Sequence, residues 1–260
     1  QIEECGNELA MMGDLARQYR IRLSMHPAHY IQLSSPDAAR VARSCQELAV
    51  AAALMDAMGL GTEAVLVVHV GGVYGDAAAS RERFVRNLDR MPPAARQRLA
   101  LENDDRHYGV QDLLWLHQRT GLRLVLDTLH HRCLNPSGEP LVEALGATLA
   151  TWPADQQPKI HFSSPRTALR ELYRQGQRYF QAPLANQHSD FLDPFDFIEV
   201  LRAGPTGIEV PWTKVAAVAK RLAGAGEIRP DVIDEQVQHE HHVATRERWT
   251  QLGLVEPVAL

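Results

Sequence analysis

Ile2, Cys5, Leu9, Met12 and Ala16 recur at intervals of three and four, one apolar helical face, so residues 2–19 are predicted to form a helix. The pattern then shortens. Ile21-Arg22-Leu23-Ser24-Met25 reads as a strand ending at His26-Pro27. Ser35-Pro36 supplies a cap and a first-turn proline for a helix that turns Val41, Cys45, Leu48, Ala52 and Met55 inward and stops at Gly59. Ala64 to Val68 is a second strand, running into His69 and Gly71-Gly72, and Ser80 to Met91 is helical with Phe84 and Leu88 inward. Arg98 to Leu101 forms a strand ending at Glu102-Asn103, and a helix over Val110 to Arg119 stops at Gly121. Arg123 to Leu126 is too short for a helix and too apolar for a loop, so it is a covered strand, with Asp127 as its last residue and His130 just beyond. A helix over Leu141 to Ala150 and a strand over Lys159 to Phe162 follow, then a long arginine-rich insertion. Pro194 to Arg202 (helix), Gly207 to Val210 (strand) and Thr213 to Ala223 (helix) complete the pattern.

Strands alternating with helices on short connections imply a parallel sheet with right-handed crossovers. His26, His69, Glu102, Asp127, His161 and Glu209 each stand at or just past the C-terminal end of a different predicted strand. In an α/β barrel that is the face where catalytic groups gather. Polar residues that merely end strands would be Ser, Asn, Gly and Lys at least as often, so six His and carboxylate residues point to one shared multi-metal rim. His130 and His188 are further candidate ligands. The expected fold is a TIM-type (β/α) barrel with six of its eight strands visible, its first two β/α units missing from the front. The barrel is assigned to residues 1–226 and an acidic tail to 227–260.

Composition constrains this little. The 260 residues, 45% hydrophobic and 23% charged, suit one large domain. Cys5, Cys45 and Cys133 are few and scattered, which argues against a disulfide framework or a cysteine zinc site and favours a reducing cytoplasm. No apolar run reaches the length of a membrane span. A net charge of −5 argues against a generally basic nucleic-acid surface, but seven acidic and three basic residues over 227–260 carry −4 of it. The histidines at 239, 241 and 242 in that tail are read as solvated side chains.

Ser24-Met25-His26-Pro27, His69-Val70-Gly71-Gly72, Leu101-Glu102-Asn103-Asp104, Asp127-Thr128-Leu129-His130-His131 and Lys159-Ile160-His161 resemble, in order, the signatures of the UV damage endonucleases. The resemblance runs from about Leu23 to Glu209. It implies a barrel related to abasic-site nucleases that nicks damaged double-stranded DNA on the 5′ side of a lesion. It also implies a cluster of two or three divalent ions, manganese in the family, with zinc or magnesium as alternatives, held by His26, His69, Glu102, Asp127, His130, His161, His188 and Glu209. No nucleotide cofactor or membrane is implied. Phosphodiester hydrolysis fits these residue types, since clustered ions acidify water and offset charge on the leaving oxygen. A metal-bound hydroxide is expected to attack, with Glu102 and Glu209 bridging ions.

Lys159, two residues before His161, should share its face, and an ammonium beneath cations is disfavoured. It is therefore expected to be neutral or to carry a CO₂-derived carboxylate that ligates metal, with a catalytic role alongside Glu102 and Glu209. Where the family has a Gln-Tyr pair that probes the lesion, this chain has His29-Tyr30, so Tyr30 can stack while His29 changes the donor. Arg166, Arg170, Arg174 and Arg178 recur every four residues, one basic stripe for DNA if that segment is helical. Val210-Pro211-Trp212 stands where the family has Ala-Lys. Two rival readings share the rim: a metal-dependent sugar isomerase of the same barrel class, and an inactive truncated paralogue.

Overall fold

Three short runs of buried residues pair side by side. They are β1 (Leu66–Val68), β2 (Leu99–Glu102) and β3 (Arg123–Val125), parallel and in the order β1-β2-β3. The computed structural model describes residues 2–27, 30–167, 169–189, 192–193, 196–197 and 200. The arc continues by one backbone bridge on each side. Met25 pairs with Leu66 through Met25 N–H to Val65 O (3.0 Å) and Val67 N–H to Met25 O (2.9 Å), and Asp127 pairs with His161. Five chain segments thus follow one another in parallel, an arc of a TIM-type barrel. The predicted strands at Ile21–Met25 and Lys159–Phe162 shrink to these single bridges, because at either flank of the arc a segment is paired on one side only among the described residues. The predicted helix from Pro194 is described only at scattered positions. The strand at 207–210, the helix at 213–223, the tail 227–260 and Glu209 lie outside the described residues.

Helices cover the outside of the arc: α1 (Gly6–Gln18), α2 (Ala38–Ala57), α3 (Ala77–Leu88), α4 (Pro93–Arg98), α5 (Val110–Thr120), α6 (Thr128–Cys133) and α7 (Leu141–Leu149). Strand alternation sorts the side chains into two cores. Leu66, Val68, Leu99, Leu101 and Leu124 face Leu48, Met55, Phe84, Leu88, Leu113 and Leu116 of the helices. Val65, Val67, Ala100 and Val125 point the other way and meet Trp152. Each fully buried Leu, Val, Met or Phe side chain among them contributes about 1.5–3 kcal/mol.

The floor of the arc is cationic. The Arg123 guanidinium lies 5.3 Å from the Trp152 ring centre and donates to Thr62 O (2.9 Å) and Gln97 O (2.6 Å). Arg22 donates to Gln157 O and Pro158 O. These arginines bind carbonyls close to where the strands begin.

Two local expectations are corrected. The cap of α2 is Asp37, whose carboxylate accepts from Ala39 N–H (2.8 Å) and Arg40 N–H (3.3 Å), while Ser35 Oγ accepts from Asp37 N–H. Two residues beyond Ser35, Asp37 places a charged acceptor at the helix start. In α1 the buried stripe is Leu9, Gly13 and Ala16, and Cys5 and Met12 face solvent. Gly13 sets that rotation: a Cβ there would fall 1.7 Å from Met58 O, so the bare backbone of α1 packs on the end of α2.

The arginine-rich insertion is not helical. Arg170–Arg174 (β4) and Gln177–Gln181 (β5) form an antiparallel hairpin through Gln175 and Gly176, both at positive φ. A period of two replaces 3.6. Arg170 and Arg174 therefore share one face, and Arg178, opposite Tyr173, is on the other.

Candidate metal centre

The files of side chains that line the inside of the arc end in ligands. Val65 and Val67 lead to His69, Ala100 to Glu102, and Val125 to Asp127, each two residues further along. Above the Arg123 floor an interior position is apolar within the sheet and becomes a metal-type donor where the ladder ends. Glu102 closes β2 and is 2% exposed. Asp127 stops being strand after Val125 and caps α6 instead, its Oδ1 accepting from His130 N–H (2.9 Å). That cap holds His130 one turn from Asp127. His26 follows the Met25 bridge, His161 is the partner of Asp127, and His188 bridges to Pro165.

All seven described candidates converge. They form three groups whose donor atoms lie within 4.8 Å of one another: His26, His69 and Glu102; Glu102, Asp127 and His161; Asp127, His130 and His188. Glu102 belongs to two groups and so does Asp127. The three sets are therefore one chain joined by shared carboxylates, a geometry that suits neighbouring cations.

The hydrogen bonds fix which nitrogens are available. Nδ1 of His26, His69 and His130 face the carbonyls of Pro27 (3.2 Å), Glu102 (3.2 Å) and Asn103 (2.9 Å), so each carries its hydrogen there and leaves Nε2 bare when neutral. Those bare nitrogens point at acceptors. His26 Nε2 is 2.7 Å and His69 Nε2 3.7 Å from Glu102 Oε2, and His130 Nε2 is 3.1 Å from His188 Nε2. Lone pairs directed at one another need a proton or a cation between them, so this donor set fits divalent metal.

The electrostatics agree. The hydrogen bond with Glu102 raises the pKa of His26 against the effect of burial, whereas burial lowers that of His69. Burial alone would raise the pKa of Glu102. The hydrogen bonds from His161 (Nδ1 to Oε1, 2.7 Å) and His26 outweigh it and hold the carboxyl well below the usual range. Lys159 is half-buried, and burial together with nearby Arg22 lowers its pKa while Glu102 works the other way.

Asn103 and Ser163 also belong to the centre and were not singled out as site residues from sequence. The Asn103 side chain accepts from Asp127 N–H (2.8 Å) and donates to Asp127 O (3.1 Å), extending the β2–β3 ladder by an amide where the backbone ladder has ended. Ser163 Oγ donates to Asp127 Oδ2 (2.7 Å). Asn103 had a signal in the Leu101-Glu102-Asn103-Asp104 signature, which marks the position but not its task, and Ser163 carried none.

Of the DNA candidates, Tyr30 is exposed in the turn after His26, and His29 lies outside the described residues. Arg166 stands at the foot of the hairpin, its N–H donating to Gln187 O (2.7 Å), next to His188. The three cysteines are free, and among the described residues no helix is long and apolar enough to cross a membrane.

Residues 2–192 match the profile of the family described as UV-endonuclease UvdE. A UV DNA damage endonuclease of Bacillus velezensis is 30% identical over 223 residues, covering 84% of this chain and 69% of that protein. One from Bacillus cereus (strain B4264) is 29% identical over 185 residues, covering 71% of this chain and 55% of that protein. The crystal structure of SacUVDE superposes with a TM-score of 0.66 at 31% identity, covering 77% of this chain and 63% of that one. Against the latter two, the chain spans less than two thirds of the length of the protein it matches.

Proposed function

Because this chain belongs to the UV-endonuclease family, we propose that it is a DNA repair nuclease whose His and carboxylate rim holds two or three divalent ions, manganese first among the candidates. The observation that carries this reading is the linkage of three donor groups through Glu102 and Asp127. Metal bound there supplies acidified water and counter-charge for the leaving oxygen of a phosphodiester.

The residues divide the work. Glu102 and Asp127, each common to two donor groups, would be shared between ions, and His26, His69, His130, His161 and His188, with Glu209, would hold them from the sides. Carbonyl contacts at Nδ1 pre-orient three of the imidazoles, and Asn103 and Ser163 fix Asp127, so the donors are aligned before metal arrives. Lys159, half-buried beneath the rim, is not an ammonium in the metal-loaded protein: it is a neutral amine or an anionic carbamate. An intact mass recorded under carbamate-preserving conditions separates those two forms. Damaged duplex is the substrate. Tyr30, with His29 beside it, stacks against the disturbed bases, and Arg166, Arg170 and Arg174 meet phosphates.

The test is incubation with a duplex carrying one cyclobutane dimer in the presence of manganese, beside an intact duplex and a Glu102→Gln variant. Cutting on the 5′ side of the dimer that is absent from both controls supports the proposal. Equal cutting by Glu102→Gln, or none by the unmodified chain, overturns it.

A further inference from the structure

The β4–β5 hairpin has both faces largely in solvent, and a two-stranded ribbon with no covering layer among the described residues gains little from its own packing. Its two faces differ in charge. One presents Glu171, Tyr173, Arg178 and Phe180, where Glu171 faces the Arg178 guanidinium at 3.6 Å and accepts from the Tyr173 hydroxyl at 2.8 Å. That face is neutralised within itself. The other presents Arg170 opposite Gln181, Leu172 opposite Tyr179 and Arg174 opposite Gln177, with no carboxylate in any of its rows. Tyr179 is thus an exposed ring between two exposed guanidiniums.

The hairpin is tied to the metal centre at its foot. Ser189 N–H donates to Ser164 O (2.9 Å), Arg166 N–H to Gln187 O, and the bridge between Pro165 and His188 lies between them. Residues 166–181 hold four arginines and one glutamate, +3 in a chain of net charge −5. A positive ribbon hinged beside a phosphodiester-cutting rim has a polyanion as its complementary partner.

We propose that the Arg170–Tyr179–Arg174 face of this hairpin binds the nucleic acid leaving the metal rim, the two arginines each neutralising a phosphate and Tyr179 stacking on a base between them. Arg178 is turned away and takes no part. The inference rests on the nuclease reading and adds to it a face, a stacking residue and an excluded arginine.

Binding of the metal-loaded chain to a fluorescent duplex, with one dimer flanked by slow-cutting phosphorothioate linkages, is measured over a range of NaCl concentrations. Arg170→Gln/Arg174→Gln should weaken binding and make the slope of log affinity against log salt shallower by about 2, one charge per phosphate. Arg178→Gln should leave the slope unchanged. Tyr179→Ala should weaken binding at unchanged slope. Should the double variant fail to fold, each single arginine variant should lower the slope by about 1. Equal effects of Arg178→Gln and the double variant, or no effect of the double variant, overturn the proposal. If the unmodified chain cuts damaged duplex while the double variant binds as well as it does, the hairpin assignment alone fails. If the unmodified chain neither binds nor cuts, the nuclease reading fails with it.

Discussion

His130 Nε2 and His188 Nε2 face each other at 3.1 Å across 58 residues of sequence, and among the described residues neither nitrogen opposes a carbonyl. His130 already has Nδ1 against Asn103 O, so the contact is an encounter of two ring nitrogens aimed at one point. The pair, with Asp127, forms one end of the chain of linked donor groups.

Metal content should follow the sharing of ligands. His188→Ala removes a residue of one donor group and should lower bound manganese by about one equivalent. Glu102→Gln removes a carboxylate common to two groups and should lower it by about two. Elemental analysis after desalting checks both; equal losses in the two variants would mean that Glu102 does not bridge.

Asn103 is a positioning residue. Asn103→Leu leaves Asp127 N–H and O without their buried partners, at a cost of about 2–4 kcal/mol in stability for two lost hydrogen bonds. Urea unfolding should show that loss, and the metal-loaded variant should hold less manganese because Asp127 is no longer fixed. Wild-type metal content at reduced stability would confine Asn103 to a packing role.

Gly13 and Gly6 make a matched pair in α1. Gly13→Ala drives a methyl into Met58 O and should destabilise by about 1–3 kcal/mol, whereas a Cβ at Gly6 meets nothing within 4 Å among the described residues and Gly6→Ala should be near neutral or slightly stabilising. Thermal melts of the two variants decide it.

Asp37 ties the start of α2 to pH. Backbone N–H groups of Ala39 and Arg40 hold its pKa below the ordinary carboxyl value, so the cap contributes fully above the unfolded pKa of about 3.9 and loses its contribution as pH falls through the lower folded value. The difference in Tm between wild type and Asp37→Ala should be greatest near neutral pH and narrow below about pH 4. A difference that widens on acidification would contradict the assignment.

Much of this molecule was legible because one rule covered it. Strand alternation, carried two residues past Val67, Ala100 and Val125, gives His69, Glu102 and Asp127, so the rim could be read from periodicity. The hairpin could not. A four-residue recurrence of arginine satisfies both a helix and every second residue of a strand, and only the Gln175-Gly176 turn, with positive φ at a non-glycine residue, distinguishes them. Ser35-Pro36 misled because it looks like a cap, yet Asp37 two residues later is the stronger acceptor. The role of Asn103, though the residue lies in a quoted signature, escaped because its task is to pair with a backbone that is distant in sequence, and no local pattern encodes that.

The most direct measurement is the chemistry of the ends left by cutting. After incubation of a single-dimer duplex with the manganese-loaded chain, the nicked strand is tested for extension by a DNA polymerase. Hydrolysis at this rim predicts a 3′-hydroxyl on the 5′ side of the dimer that primes extension, lost on dialysis against EDTA and restored by manganese. A nick with a blocked 3′ end, or one that persists without metal, would contradict hydrolysis by a metal cluster on Glu102 and Asp127.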